Sequence, residues 1–168
     1  MGPKIVHRKI RLYVGCALTH ASPQFREEIE MFKHELGQEE HLEVLRFSDL
    51  GNFQRGAVYE QDINVCLASA DAFVAFVDHP SLGLGIELAE AVKFRAIPTL
   101  ITHHHSRVVS DLVLDLEHHF GQIVTVKPYE RVGDVRHFLP SLIRRHDVLR
   151  HLVSAWPNPT AQVHAAIN

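Results

Sequence analysis

The chain has 168 residues, 46% hydrophobic and 22% charged, with a formal net charge of −3 and basic and acidic side chains interspersed. That length suits one core, and the charge pattern offers no basic patch or stripe of the kind a nucleic-acid binder carries. No apolar run is long enough for a signal peptide or a membrane span, and two cysteines make no disulfide framework, so a cytoplasmic protein with no membrane partner is expected.

Apolar strand-like runs alternate with helix-period segments along the chain. Ile10–Cys16 reads as a first strand and Pro23–Leu36 as a first helix, with Ser22 as its cap and Pro23 at a first-turn position that tolerates proline. Residues 42–47 read as a short second strand, and 58–68 as a helix with Tyr59, Ile63, Cys66 and Leu67 on its apolar face. Residues 72–77 are almost wholly apolar, the mark of a central parallel strand buried on both faces. A Pro/Gly-rich turn at 79–85 leads to a helix over 86–94, a fourth strand over 97–102 and a helix over 107–116. A fifth strand over 122–126 and a helix over 132–153, broken near Pro140, complete one domain spanning 1–153, with 154–168 as a loose tail. Alternation of this kind predicts a three-layer α/β domain: a five-stranded, mostly parallel, doubly wound sheet of flavodoxin-like or Rossmann-like type. Ligands in such sheets bind beyond the carboxyl ends of the strands, which selects the loops at 16–22, 78–85 and 102–107.

The stretch Pro80-Ser81-Leu82-Gly83-Leu84-Gly85-Ile86-Glu87 carries the most chemistry. Gly83 and Gly85 would let backbone approach a ligand closely, the N–H groups at the helix start would favour an anion, and Ser81 adds a hydroxyl. On spacing alone Glu87 reads more readily as a first-turn carboxylate complementing the helix dipole than as a functional group. Asp62 shares a helix face with Val58 and Cys66, where it reads as a boundary residue or as the second member of a carboxylate pair suited to glycosyl chemistry.

Leu12-Tyr13, Glu60-Gln61-Asp62, Ala70-Asp71, the Pro-Ser-Leu-Gly-x-Gly-x-Glu-Leu turn at 80–88 and Arg107-Val108-Val109-Ser110 occur in an order and spacing that resemble the nucleoside 2-deoxyribosyltransferase superfamily, in particular its 2'-deoxynucleoside 5'-phosphate N-hydrolase branch. The resemblance runs from about Arg11 to Leu116 and shifts the balance for Glu87 towards function. It implies Glu87 as the nucleophile at C1', Asp62 as the acidic group that assists the leaving base or positions the ribose, and Tyr13 as a hydrogen-bond partner of the nucleophile. Ser81 and Ser110 match 5'-phosphate-binding serines, Ser110 reaching across a homodimer whose subunits share active sites. No metal or organic cofactor is implied. The reaction implied is hydrolysis of a (deoxy)nucleoside 5'-monophosphate to free base and sugar phosphate through a covalent glycosyl-Glu87 intermediate. A serine at position 81, where the transferase branch has an acidic residue, favours a phosphate over a free 5'-hydroxyl. The alternatives are base exchange by a deoxyribosyltransferase and a non-catalytic nucleotide-binding regulator.

The chain departs from the branch in the loop after strand one. Ala17 stands where a serine is expected and no arginine stands between it and Arg26, leaving Thr19, His20 or Ser22 to supply phosphate contacts. Asp78, two residues before Pro80, is placed to contact a base amino group or to disturb a nearby phosphate. His103-His104-His105 and His118-His119 lack the spacing of a metal pair, so no metal site is read there; His103–His105 are instead expected in a ligand-edge loop. Cys16 reads as a buried thiol, and the stripe Phe138, Leu142, Leu149, Leu152 as core or subunit interface.

Overall fold

The computed structural model describes residues 8–17, 20–45 and 57–155; Thr19, the 46–47 end of the expected second strand and the tail from 156 lie outside the described residues. The strands are β1 (Ile10–Cys16), β2 (Leu42–Leu45), β3 (Ala72–Phe76), β4 (Thr99–His104) and β5 (Val124–Tyr129). They form one parallel sheet in the order β2-β1-β3-β4-β5. Every residue of β3 is buried, as its uninterrupted apolar sequence requires at the centre of the sheet.

Helices cover both faces. On one, α1 (Pro23–Leu36) packs Ile29, Phe32 and Leu36 beside Val132 and Val135 of a 3-10 segment, Val132–Phe138, and Leu139 and Leu142 of a long helix, Leu139–Ala155. On the other, a helical turn, Ala57–Tyr59, runs on as a π-helix, Glu60–Leu67 (together α2), and seats Ile63, Cys66 and Leu67. The same face holds α3 (Leu82–Ala89), which continues as a π-segment, Glu90–Phe94, and α4 (Asp111–Phe120). The final helix, Leu139–Ala155, is α5 in this order. The result is the three-layer doubly wound sheet expected. The winding reverses between β1 and β3, where ligand crevices form.

Several expected boundaries move. Helix α3 begins at Leu82, not at 86, because the Ser81 hydroxyl accepts the Leu84 N–H at 3.2 Å and caps it there. The two glycines therefore lie inside the first turn of the helix, and Glu87 lies in the second. Strand β4 runs on to His104, pairing His103 with Pro128 and His104 with Tyr129, so these two histidines stand in the sheet and not in a loop. Proline is accepted in β5 because that strand is at the sheet edge. Helix α4 starts only at Asp111, and Pro140 stands at the second residue of α5, a position that needs no N–H donor.

Candidate active site

The geometry at Glu87 begins with a glycine. Gly15, near the end of β1, lies directly against the Glu87 side chain: a Cβ at position 15 would stand 2.6 Å from Glu87 Oε2 and 2.9 Å from the Phe73 ring. Only the missing side chain gives the carboxylate its place against the sheet. Glu87 Oε2 is buried and has no hydrogen-bond partner among the described residues. A carboxylate oxygen held in this way keeps its lone pairs free for an incoming atom.

Tyr13, two residues earlier on the same strand, points to the same face and stacks on Phe73 with ring centroids 5.3 Å apart. Its hydroxyl hydrogen-bonds Glu87 and also engages Asp62, which projects from the first turn of the π-helix in α2. Tyr13 thus ties the two carboxylates into one cluster. Burial first, and the Asp62 charge second, push the Glu87 carboxyl up to about 7, against the opposing pull of the Tyr13 hydrogen bond and the Lys33 charge. Burial raises Asp62 as well, while Tyr13 and Lys33 oppose the rise. Burial and both neighbouring carboxylates hold the Tyr13 phenol far above its ordinary range, so it remains a neutral donor. Tyr13, Asp62 and Glu87 are therefore brought together, and the helix-dipole account of Glu87 does not apply to a second-turn residue.

Two contributors were not visible in the sequence. Gly15 could have been flagged as a glycine inside a strand. Lys33 had no such signal: it lies on α1, its side chain is only 15% exposed, it bonds Glu30 at 2.9 Å, and its charge acts on both Glu87 and Asp62. Cys16, read as a buried thiol, is only partly buried, and desolvation raises it to about 11, so it stays a thiol at neutral pH.

Ser81, Gly85 and Ser110 border one cavity of about 130 Å³, with Val108 and Val109, beyond the carboxyl end of β3. The Ser81 oxygen is occupied as the helix cap, which leaves its O–H free to donate. A Cβ at Gly83 would meet nothing closer than 3.7 Å and one at Gly85 nothing within 4 Å, so packing within the chain requires neither glycine. Ser110 meets Ser81 within a single protomer; Glu87 does not border that cavity. His20 is exposed. No group of three His, Cys, Asp or Glu side chains that could hold a metal occurs among the described residues, and none of their helices is long and apolar enough to cross a membrane.

No family model matches the chain, and no curated protein matches it in sequence. Among solved structures, the CMP N-glycosidase BcmB of Clostridium botulinum is similar in fold, with a TM-score of 0.54 and 19% identity over 77% of this chain and 98% of that one.

Proposed function

We propose that this protein hydrolyses the N-glycosidic bond of a nucleoside 5'-monophosphate, with Glu87 as nucleophile. The observation that carries this reading is the Glu87 carboxylate itself, desolvated against Gly15 with one oxygen unsatisfied and a second carboxylate, Asp62, joined to it through Tyr13. The fold shared with a CMP N-glycosidase supports the reaction class.

In the first step Glu87 Oε2 attacks C1', the C1'–N bond breaks, and the base leaves with its bonding electrons and takes up a proton. Asp62 assists that proton transfer or orients the ribose. In the second step water attacks C1' of the glycosyl ester, a carboxylate takes its proton, and Glu87 departs as a carboxylate. Only ionised Glu87 attacks, so the rate should rise with pH through about 7 and level off above it. The 5'-phosphate is assigned to the free N–H groups at the start of α3, with Ser81 and Ser110 as hydroxyl donors and His20 as a further contact; Thr19, expected beside it, lies outside the described residues. A homodimer fits the apolar side chains left exposed on the α3 and α4 layer: Leu82 is 91% exposed, Val108 100% and Leu112 78%. Ser81 and Ser110 border one cavity within a protomer, so Ser110 serves its own chain's site and the dimer is not needed to supply it. We place the enzyme in the cytoplasm; helix α5 runs through Ala155, into the first two residues of the tail read from 154.

The test is chromatography of CMP, dCMP, other monophosphates and the matching nucleosides after incubation with wild type and Glu87→Gln. Base and sugar phosphate should appear from at least one monophosphate, and Glu87→Gln should slow release at least about thousandfold. Base exchange only on addition of a second base would move the assignment to a transferase. Tight nucleotide binding without release would make the protein a regulator. Full activity in Glu87→Gln ends the proposal.

A further inference from the structure

A larger cavity, of about 540 Å³, opens on the sheet face opposite Glu87. Phe25 and Phe32 of α1 wall it, and Tyr129 at the end of β5 closes one side; all three belong to the core of the α1 and α5 face, whereas Glu87 lies over Gly15 on the other. Its volume is that of an ordinary small-molecule site.

The buried carboxylate bordering this cavity is Asp78, just past the end of β3. It is 7% exposed. Its Oδ1 accepts the His104 N–H at 2.7 Å, and the Tyr129 hydroxyl stands against the same carboxylate. Oδ2 is buried with no hydrogen-bond partner among the described residues. An acceptor removed from water and left unmet is costly, and more so when it is charged, so it marks a place where a donor is wanted. Three further carboxylates, Glu28, Glu35 and Glu130, border the cavity against two arginines, Arg107 and Arg131; Arg131 lies 3.9 Å from Asp134 and Glu35 lies 4.0 Å from Arg136, which leaves Asp78, Glu28 and Glu130 against Arg107. That balance disfavours an anion. The aromatic wall suits a flat cation lying against a ring face.

We propose that this cavity binds a small planar cation with paired N–H groups, an amidinium or guanidinium on an apolar body, with Asp78 as its counter-charge. Asp78 also borders the smaller Ser81 and Ser110 cavity, so the two cavities adjoin, but Glu87 borders neither, and the cation site does not depend on the glycosidase assignment.

Benzamidine and its neutral isostere benzamide are suitable probes, titrated into the full chain and followed by backbone amide shifts in NMR. Benzamidine should bind saturably, at least about tenfold more tightly than benzamide, with shifts centred on Phe25, Asp78 and Tyr129. Asp78→Asn, which keeps the acceptor for the His104 N–H, should lose about tenfold in benzamidine affinity, and Glu87→Gln should bind it like wild type. No saturable binding, equal affinity for benzamide, or shifts centred on Gly15 and Leu84 would overturn the proposal. Loss of binding in Glu87→Gln would do the same. Should Asp78→Asn fail to fold, the benzamidine-to-benzamide ratio and the shift map in wild type still decide.

Discussion

Two half-hidden carboxylates, at opposite ends of the sheet, have opposite surroundings. Asp71, at the start of β3, is 9% exposed and meets Arg8, the Arg11 N–H at 2.8 Å, Arg11 Nε at 3.6 Å and His146 Nε2 at 3.6 Å. It is surrounded by donors, and through His146 it fastens α5 to the sheet. Glu87 has a tyrosine hydroxyl beside it, no hydrogen-bond partner for Oε2 among the described residues, and a second carboxylate as neighbour. A charge solvated by the protein stabilises the fold; one left partly unsolvated weakens it and keeps reactivity in reserve.

Removing Asp71 should therefore have the largest effect on stability. Asp71→Ala leaves the Arg11 N–H without its acceptor and removes the counter-charge beside half-exposed Arg8, part-buried Arg11 and buried His146, and should cost about 3 kcal/mol in denaturant unfolding while turnover per folded molecule is unchanged. A loss of less than about 1 kcal/mol would break the contrast. Glu87→Gln should act in the opposite direction. The Glu87 carboxyl is raised on folding, so its stabilising contribution is complete below the unfolded value near 4.5 and is lost as pH rises to about 7. The amide does not titrate, so the gain of Glu87→Gln over wild type should grow between those limits, reach roughly 2 kcal/mol and stay level above pH 7. Melting curves across pH test this, and a gain independent of pH would contradict it. The smallest effect belongs to Tyr13→Phe. Loss of a hydrogen bond that favours the ionised form should raise Glu87 further and move the rising limb of the pH–rate profile to higher pH, by less than about one unit. A shift to lower pH would show that the tyrosine plays some other part.

How much of this was legible in the sequence depends on the range of the signal. The Ser22-Pro23 start of α1 and the apolar run of β3 are local and were read correctly, as was the layered sheet that follows from their alternation. Boundaries failed where one local signal competed with another. Gly83 and Gly85 suggested a turn, but the Ser81 cap had already begun the helix. The histidines and Pro128 suggested loops, yet cross-strand pairing at the β5 edge carries both into the sheet. Tyr13, Asp62 and Glu87 were singled out by their motifs, and the fold brings the three side chains into one cluster. Gly15 and Lys33 reach the cluster only through tertiary packing, and no spacing rule along the chain connects Lys33 to a carboxylate on the other side of β1.

The π-helical geometry of Glu60–Leu67 has a consequence for how this site tolerates change in length. Such a stretch winds more residues into each turn than an α-helix does, so it behaves as an α-helix that has accepted an insertion. Deleting a residue there need not destroy the helix; it would let the turn tighten while Ile63 and Leu67 compete to keep their places in the core. Asp62, on the rim of that turn, would swing away from Tyr13. Spacing in this helix is thus an independent control on whether the two acids meet, separate from the identity of either one.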